Sequence, residues 1–574
     1  MRRKNLDKII KIIFITTFLA MTTVGCTSDK KNNISEESSK TETLAENIEE
    51  IETDIIENET KTDEETDTAS NNFIFTPLIA EESIYGGTSS ENINIRYTVK
   101  YQSVILDEET AEVYPELSET LIRDKDERMK AAFESAEVFK ENMGYFTESA
   151  FEGMELSDEV ITSVVRSDTN VLSLKMEGYS YGGGAHGNYY TVGTSYNSKS
   201  GEMLKLNDVV KDIEKLISVT KEKLAEAYPD GLSGIEHLTE VLNNAADKAY
   251  GEEGFDAGFG WTLGYNQLEL YFNPYTLASY AEGQQVVKLG FDEYPELFNE
   301  AYTENIPDAY VYKLDNYEDI TYEDIDQDGE NEEIRINMLY NGTGEDYPED
   351  YVLEVSFDDK MYNTSLASYA GYENYFVKNN DGSCYVYSFT KHDNDYIMLD
   401  ICKITKEGLM VSNAGNMEPA IIRSEYTDGE ETENGEYTTY FNSLEYSLTN
   451  PAHLKLSSRL NSLSTYSGYR NYALNSDGFP VSETPYIIDN AVTFVLKKDF
   501  EFEESYQNGK RTGKKLTLPE GTELYTHLTD GISYIVLRYE NDKYVYAEIN
   551  TNEYPQLING VLAEEILDGM FYAG

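Results

Sequence analysis

Positive charge is scarce in this chain of 574 residues, which carries 45 lysines and arginines against 107 aspartates and glutamates. The formal net charge of −62 argues against a nucleic-acid partner, because such binding requires a basic surface. It also disfavours direct contact with an anionic membrane surface. Two interpretations stay open: the charge keeps an exposed protein soluble, or it attracts a cationic partner.

Tryptophan, histidine and cysteine are also rare, with one, five and three copies. The histidines are His186, His237, His392, His453 and His527. They are far apart in the sequence, so the closely spaced ligands of zincin- and deacetylase-type metal sites are missing. No Gly-x-Ser-x-Gly elbow marks a nucleophile, and we expect no enzymatic activity. One tryptophan beside 48 tyrosines disfavours a sugar-stacking module and favours protein recognition.

The chain has one extended apolar run, "IIFITTFLAMTTVG" at 12–25, which follows the basic leader "MRRKNLDKIIK". It is shorter than the about 20 residues that a spanning helix needs, and is typical of a secretory signal. The small residues before Cys26 resemble the lipobox of bacterial lipoproteins, which implies cleavage before Cys26 and lipidation of its thiol. An ordinary signal with an incidental cysteine is the alternative. We expect a lipid-anchored protein on the extracellular face of the cell membrane.

The composition changes along the chain, which predicts several domains. The segment after Cys26 is acidic and poor in aromatic residues, as in a disordered spacer. Helix and strand patterns then alternate, and strand patterns dominate the rest. We expect an α+β N-terminal module followed by a mostly-β C-terminal region of β-hairpin or blade-like units. The expected divisions are a lipoprotein signal peptide at 1–26, a disordered acidic linker at 27–75, the α+β module at 76–305, a β-rich calcium-loop region at 310–420, a connector with a helix at 421–485 and a small β domain at 486–574.

A glycine-rich loop, "YSYGGGAHGNYY" at 179–190, joins two tyrosine-rich strands of the module. A catalytic histidine requires a hydrogen-bonding partner, and the sequence offers no matching nucleophile. Because glycines allow positive φ and close backbone approach, we interpret the loop as a tight connection that can also contact a ligand. Catalysis is the alternative. The candidate contact residues are Tyr181, Gly183, Gly184, His186 and Gly187.

Three stretches of the module carry a resemblance: "YGGGAHG", "SYNSKSGEMLKLNDVVKD" and "LELYFNPYTLASYAEGQQVVKLGFDEYPELF". They resemble the extracellular domain pair of lysozyme-sensing, RsiV-like anti-sigma factors, a module that also occurs beside polysaccharide deacetylase domains and in lipoproteins. The resemblance implies binding of lysozyme, another cationic wall-active protein or a cell-envelope ligand. Without a cytoplasmic anti-sigma segment, direct release of a sigma factor is not expected. The alternatives are a cell-wall-modifying enzyme, an accessory to a peptidoglycan deacetylase or hydrolase, and a passive spacer.

The stretch "DIDQDGENEEIRI", which starts at Asp324, alternates acidic residues in the pattern of a calcium loop. Gly329 permits the sharp turn, but Arg335 stands where an EF-hand requires a glutamate. The pattern resembles the calcium hairpin of integrin-type β-propeller repeats, and "VKNNDGSCYVYSF" resembles a degenerate copy. A solvated acidic turn is the alternative. The expected calcium ligands are Asp324, Asp326, Asp328, Glu332 and the backbone carbonyl of Glu330.

Two cysteines flank a turn centred on Asp393. In a symmetric hairpin Cys384 lies opposite Cys402, and both thiols share one face of the sheet. The opposite face then carries Tyr385, Tyr387, Phe389, Ile397, Leu399 and Ile401. A disulfide can form outside the cell, but two buried free thiols fit as well, because the bond also requires suitable geometry.

The last part of the chain is rich in strand patterns. Within it, "LPEGTEL" resembles a turn of bacterial SH3-like domains, so we expect a small SH3-like barrel. The stretch "GKRTGKK" departs from a phosphate-binding loop in its glycine spacing and is interpreted as a turn. Further upstream, "NPAHLKLSSRLNSLSTY" at 450–466 predicts one helix.

Overall fold

The computed structural model describes residues 74–90, 93–143, 155–315, 318–341, 349–369, 371–392, 396–429, 436–488, 490–552 and 554–573. The predicted signal peptide, Cys26 and the acidic linker up to residue 73 lie outside these ranges. Within them the chain is 50% strand and 17% helix. This confirms a mostly-β protein with an N-terminal module of helix and sheet. None of the described helices has both the length and the apolar character required to cross a membrane.

Seven α-helices lie within the described residues. They are α1 (Glu108–Val113), α2 (Pro115–Met143), α3 (Leu206–Val209), α4 (Ile213–Ala227), α5 (Leu238–Ala246), α6 (Glu300–Thr303) and α7 (Ala563–Ile566). The Asp107 side chain caps α1 by accepting from the backbone N–H of Thr110 at 2.7 Å. Asp212 caps α4 in the same way through Lys215. Each cap satisfies an amide that has no partner inside its helix.

A seven-stranded sheet of order β19-β20-β1-β2-β3-β4-β5 forms the frame of the N-terminal module. Its strands are β1 (Leu78–Ser90), β2 (Ile93–Ile105), β3 (Glu155–Ser167), β4 (Val171–Tyr181), β5 (Asn188–Asn197), β19 (Ile421–Asp428) and β20 (Glu436–Tyr446). β2 and β3 are parallel and therefore require a crossover connection, which contains α2. The hairpin β19–β20, expected within a connector, pairs with β1 and completes this sheet.

One face of this sheet is covered by α2, because the apolar residues of the helix recur at helical spacing. Ala132, Ala136 and Phe139 of α2 are buried together with Val99 of β2 and Val160 of β3. The folded part begins before β1, since Phe75, expected at the end of the linker, is 2% exposed and packs on Tyr114 between α1 and α2.

A three-stranded sheet packs with α4 and α5 beside the larger sheet. It consists of β6 (Phe259–Leu263), β7 (Gln267–Phe272) and β8 (Gln285–Gly290). Leu216 of α4 and Leu242 of α5 meet Leu270 of β7 in a common core. Trp261, the single tryptophan of the chain, is 3% exposed and lies in this core. It therefore serves packing and is not available for stacking on a ligand.

Two antiparallel sheets face each other in the middle of the chain. The first contains β10 (Glu318–Glu323), β11 (Glu332–Tyr340), β12 (Glu349–Phe357) and β13 (Lys360–Ser368). The second contains β9 (Tyr310–Lys313), β14 (Tyr372–Lys378), β15 (Cys384–Lys391), β16 (Ile397–Thr405) and β17 (Gly408–Asn416). Alternate residues such as Ile336, Val355 and Val386 fill the space between the two sheets, as expected for a sandwich of amphipathic strands.

The remaining strands form a further sheet around a second apolar core. They are β18 (Glu418–Pro419), β21 (Leu454–Leu460), β22 (Tyr466–Leu474), β23 (Pro480–Val481), β24 (Tyr486–Ile487), β25 (Thr493–Leu496), β26 (Phe500–Ser505), β27 (Arg511–Leu518), β28 (Glu523–Thr529), β29 (Tyr534–Tyr539), β30 (Lys543–Asn550), β31 (Leu557–Ile558), β32 (Val561–Leu562) and β33 (Leu567–Asp568). The SH3-like resemblance of this part stays a prediction.

The helix predicted at 450–466 is wrong, because this stretch forms β21 and enters β22. Leu454, Leu456 and Leu460 are spaced by multiples of two and lie on the buried side of β21. Leu454 and Leu456 cover the outer face of the five-stranded sheet. A short apolar stretch fits the helical and the strand periodicity almost equally, and here the contact with the sheet favours the strand.

Charged side chains are buried, or half-buried in the case of Asp315, where the α+β module meets the β-sandwich. This group, termed the ion cluster, consists of Lys175, Glu269, Lys288, Asp315 and Asp319. Lys288 Nζ lies 3.1 Å from Glu269 and 2.5 Å from Asp319, and Lys175 pairs with Asp315. The Tyr271 hydroxyl donates to Glu269 at 2.6 Å. Since a buried charge is tolerated only when it is paired and hydrogen-bonded, these contacts hold the two units together.

The ion cluster holds three carboxylates and two ammonium groups. Burial on its own lowers the pKa of Lys288, but Asp319 and Glu269 outweigh this effect and raise it. Burial raises the pKa of Asp319 to about 6 even though Lys288 opposes the shift. Lys288 therefore stays charged at neutral pH, and its removal would leave two buried carboxylates with less compensation.

Replacing Lys288 with Met should destabilise the protein by about 3–5 kcal/mol, because it leaves buried carboxylates without their cation. The loss should be smaller at pH 5 than at pH 8, since protonation of Asp319 neutralises one of them. Denaturant unfolding at both pH values measures the effect. Lys215→Met is the matched control, because the Lys215–Glu296 pair is half-exposed and such pairs contribute little. Equal losses for the two variants at pH 8 would contradict the prediction.

Candidate functional site

The glycine-rich loop joins β4 to β5, and its backbone is fixed by short local contacts. Gly183 has a φ of +85°, which glycine adopts without strain. The Tyr181 hydroxyl donates to the Gly184 carbonyl at 3.1 Å, and His186 Nδ1 lies 2.9 Å from the Gly187 carbonyl. At Gly187 a Cβ atom would come within 2.5 Å of the Tyr179 ring. Glycine is therefore required at 187 for the ring to pack.

A second segment, "NPYTLASYAEG" between β7 and β8, lies against this loop. The side-chain amide of Asn273 binds this segment to the backbone of β5. Its Oδ1 accepts from Thr191 N at 2.7 Å, and its Nδ2 donates to Thr191 O at 3.0 Å. The Tyr280 hydroxyl donates to the Gly187 carbonyl at 2.7 Å. The rings of His186 and Tyr280 stack with centroids 4.0 Å apart. Two loops distant in sequence thus form one surface.

This surface, termed the tyrosine patch, consists of Tyr179, Tyr181, His186, Tyr189, Tyr275 and Tyr280. Tyr189 and Tyr275 both approach the central Tyr280 ring, at 5.7 and 5.8 Å. Tyr179, Tyr189 and Tyr275 are 44%, 37% and 67% exposed, so their faces are open to a partner. Partial burial raises the pKa of Tyr280 above its usual range, with further contributions from Tyr189 and Tyr179. Tyr280 therefore stays a neutral hydrogen-bonding phenol.

The tyrosine patch consists of residue types that are common in recognition surfaces. Tyrosine offers a rigid apolar ring and a hydroxyl at little entropic cost, and its face attracts Lys and Arg side chains. His186 Nδ1 faces a backbone carbonyl, and its ring face stacks on Tyr280. Of the predicted contact residues, Tyr181 and His186 belong to the tyrosine patch, and Gly183, Gly184 and Gly187 lie in the loop that carries them. The four other tyrosines were missed; the pair in "NPYTLASYAEG" was the available signal.

The acidic loop between β10 and β11 brings four predicted calcium ligands together. Four carboxylate oxygens lie within 4.8 Å of one another, one each from Asp324, Asp326, Asp328 and Glu332. Gln327 and Gly329 have positive φ values of 62° and 97°, which turn the chain so that the alternate aspartates converge. Oxygen donors at this density suit a hard cation such as calcium.

Hydrogen bonds shape the acidic loop from within. Asp324 accepts from the backbone N–H groups of Asp328 at 3.0 Å and Gly329 at 2.9 Å. Glu332 accepts from Ile325 N at 2.7 Å, while burial, followed by Asp326, Asp358 and Asp324, raises the pKa of Glu332. The backbone N–H of Glu330 donates a hydrogen bond to the Asp328 carboxylate at 2.9 Å. A cation would relieve the repulsion that these carboxylates exert on one another.

The degenerate copy of this loop lies between β14 and β15, in the facing sheet of the sandwich. Gln327 Nε2 of the acidic loop donates to the Asp381 carbonyl of the degenerate loop at 3.2 Å. On the other side, Asn331 donates to Asp292 at 2.6 Å. The acidic loop therefore contacts the second sheet and the α+β module at once.

Both cysteines of the β15–β16 hairpin are buried free thiols. The predicted pairing of Cys384 with Cys402 is wrong by two residues, because Cys384 pairs with Ile404 and Cys402 pairs with Val386. The predicted faces are confirmed: both thiols lie in the core between the two sheets, and the aromatic residues lie on the other face. Burial, with a smaller contribution from Asp400, raises the pKa of Cys402 to about 12.

No protein-family model and no curated protein matches this chain. Among solved structures, it is similar to a DUF3298-family protein from Bacteroides fragilis, with 14% identity and a TM-score of 0.28 over 40% of this chain and 96% of that one. It is also similar to a DUF3298-family protein from Pseudomonas aeruginosa, with 16% identity and a TM-score of 0.24 over 41% of this chain and 97% of that one. The function of the DUF3298 family is unknown.

Calcium should raise the melting temperature if the acidic loop binds it. For a dissociation constant of about 0.1 mM, within the range of extracellular sites, 1 mM calcium would stabilise the fold by about 1.4 kcal/mol. The double variant Asp326→Asn, Asp328→Asn should lose this response. Asp230→Asn, Asp477→Asn changes the net charge equally at exposed positions outside the loop and should keep it. Identical melting temperatures of the wild type in EDTA and in calcium would show that the acidic loop is a turn that binds no calcium.

The two hairpin thiols should be unreactive in the folded protein, because both are buried and their pKa values are raised. A Cys26→Ser form removes the third cysteine. Titration with a thiol reagent at pH 8 should detect no fast-reacting group in the native state and two groups after denaturation without reductant. A fully reduced sample is the control. Finding no free thiol in the unreduced, denatured protein would establish a disulfide and contradict the structure.

Proposed function

We propose that this chain is a lipid-anchored extracellular binding protein that recognises a cationic, wall-active protein such as lysozyme. The observation that carries the proposal is the tyrosine patch, an exposed aromatic surface built by two loops that the fold holds in place. Its composition suits a protein interface, where tyrosine and arginine are enriched. A cell-envelope ligand other than a protein is the outcome to be distinguished by experiment.

Contacts at the tyrosine patch would supply affinity at short range. An arginine or lysine of the partner placed over an exposed ring gains about 0.5–1 kcal/mol, and the phenol hydroxyls of Tyr189 and Tyr275 can donate to backbone carbonyls. The hydrogen bonds that Tyr280 and Asn273 make hold the two loops in a fixed relative position. A surface that is already ordered loses little entropy when a partner binds.

The net charge of −62 would act at longer range. It raises the rate at which a basic protein meets this surface, in a manner that salt screens. Lipidation at Cys26 would keep the protein on the outer leaflet, and the linker would hold the folded part away from the membrane. This geometry fits a receptor or decoy for proteins that attack the cell wall.

Calcium would have a structural role in this proposal. The acidic loop contacts both the facing sheet, through Asp381, and the α+β module, through Asp292. A cation held by Asp324, Asp326, Asp328 and Glu332, with the Glu330 carbonyl as a further donor, would stiffen that junction. Extracellular calcium would keep even a weak site largely filled.

Hen egg-white lysozyme is a suitable probe, measured by calorimetry with the folded chain at 150 mM salt. Binding should persist at this salt concentration, and the double variant His186→Ala, Tyr189→Ala should weaken it at least about tenfold, or about 1.4 kcal/mol. Tyr506→Ala is the matched control, because Tyr506 is also an exposed tyrosine, at 58% against 37% for Tyr189, but lies in the turn after β26.

Three other outcomes would contradict the proposal. Micromolar binding that disappears with modest salt would indicate generic charge attraction. Equal affinity for cytochrome c, a cationic protein without wall activity, would indicate the same. Release of reducing or acetyl groups from purified peptidoglycan would instead favour a wall-modifying enzyme.

A further inference from the structure

The two faces of the seven-stranded sheet differ in what covers them. The face that carries Ile84, Val99 and Val160 is buried under α2. The opposite face is closed at one end by the β-sandwich, where Lys175 pairs with Asp315. At its other end this face carries half-buried and exposed residues on every strand. This uncovered part is termed the open face.

A single row of directly paired residues crosses the open face through all seven strands. Following the sheet from β19 to β5, the row is Tyr426, Phe441, Ser83, Lys100, Glu159, Tyr179 and Tyr189. Directly paired residues in a sheet point to the same side, so the row lies on one side of the sheet. Ser83 in its middle is buried, at 1% exposed, and the other members are half-buried or exposed. The tyrosine patch is one end of this row.

The other end of the row is aromatic as well. The rings of Tyr426 and Phe441 lie 4.5 Å apart, and Tyr426 is 69% exposed. Both residues belong to the hairpin β19–β20, which comes from the distal half of the chain. Two aromatic clusters thus flank a polar centre, and aromatic side chains are among those enriched in protein interfaces.

The length of the row matches the diameter of a typical protein–protein interface. Six strand spacings of about 4.8 Å give about 29 Å from β19 to β5. A typical protein–protein interface covers about 800 Å² on each partner, which corresponds to a patch of about this diameter. The tyrosine patch alone covers only one edge of such an area.

The charge of the open face is complementary to a basic partner. Lys100, the cation of the row, is already paired with Glu81 at 3.0 Å. Glu159 lies in the row, Glu177 is 53% exposed beside Tyr179, and Asp428 lies in the neighbouring row. That second row is Asp428, Thr439, Tyr85, Thr98, Ser157 and Tyr181. Its members other than Asp428 are uncharged. In the row beyond it Arg96 lies directly opposite Glu155, so carboxylates outnumber cations on this part of the face.

We propose that the binding surface of the proposed function is the whole open face, and that the hairpin β19–β20 forms its second anchor. This inference rests on the proposed function and extends it. The occupant is a folded protein whose basic surface spans both aromatic ends and places cationic side chains over Tyr426 and Tyr189. The receptor surface is then assembled from two parts of the chain that are far apart in sequence.

Binding of hen egg-white lysozyme to the folded chain at 150 mM salt tests this inference through matched tyrosine variants. Tyr426→Ala and Tyr189→Ala should each weaken the affinity at least about tenfold, and Tyr506→Ala should leave it unchanged. Tyr426→Phe keeps the ring and should retain most of the affinity. Because the two anchors are about 29 Å apart, the free-energy losses of Tyr426→Ala and Tyr189→Ala should add in the double variant.

Melting temperatures within a degree or two of the wild type would establish that the exposed variants fold. If Tyr189→Ala weakens binding and Tyr426→Ala does not, the inference is wrong while the proposed function stands. If the wild type shows no salt-resistant binding to lysozyme, both are wrong. If all three alanine variants weaken binding equally, the contact is diffuse and the open face has no special role.

Discussion

The ion cluster is the constraint on which the arrangement of the molecule depends. Lys175 and Lys288 come from the sheets of the α+β module, and Asp315 and Asp319 come from the segment that enters the β-sandwich. A buried ammonium group without its carboxylate costs several kcal/mol, so the sandwich has one orientation in which every charge is satisfied. Nearby, Tyr265 of the module stacks on Tyr310 of β9 at 4.0 Å. Apolar contacts of this kind tolerate sliding more readily than a set of paired charges does.

The hairpin β19–β20 adds a second link between the two halves of the chain. Its pairing with β1 runs from Leu78 opposite Tyr446 to Thr88 opposite Glu436. The sheet of the module therefore cannot be completed until residues far downstream have been made. Contacts of such large sequence separation slow folding, and before they form, β1 has an unpaired edge that is prone to association. The same topology lets a distal segment contribute to a surface whose other end is the glycine-rich loop.

Features that depend on the alternation of side chains along a strand could be predicted from the sequence. Features that depend on contacts between distant segments could not. In the cysteine hairpin the ladder centres on residue 394, as the Lys391–Ile397 pair requires, and not on Asp393. Moving the centre by one residue shifts each partner by two and leaves the alternation unchanged. This is why the predicted faces were right and the predicted partners were wrong. The acidic loop could be found because its carboxylates are close together in the sequence, whereas Tyr275 and Tyr280 reach the patch through contacts between segments that are distant in sequence.

Charge and aromatic surface would contribute differently to recognition of a cationic partner. Part of the positive charge is withdrawn from the surface, since Arg166 is fully buried against Asp168 and Lys288 lies in the ion cluster. The remaining field attracts any basic protein, but at physiological salt it decays over about 8 Å. Such a field changes the rate of encounter more than the lifetime of a complex. Discrimination among cationic proteins would therefore come from groups that act at contact distance, and in the proposed complex those groups are the aromatic side chains at the two ends of the open face.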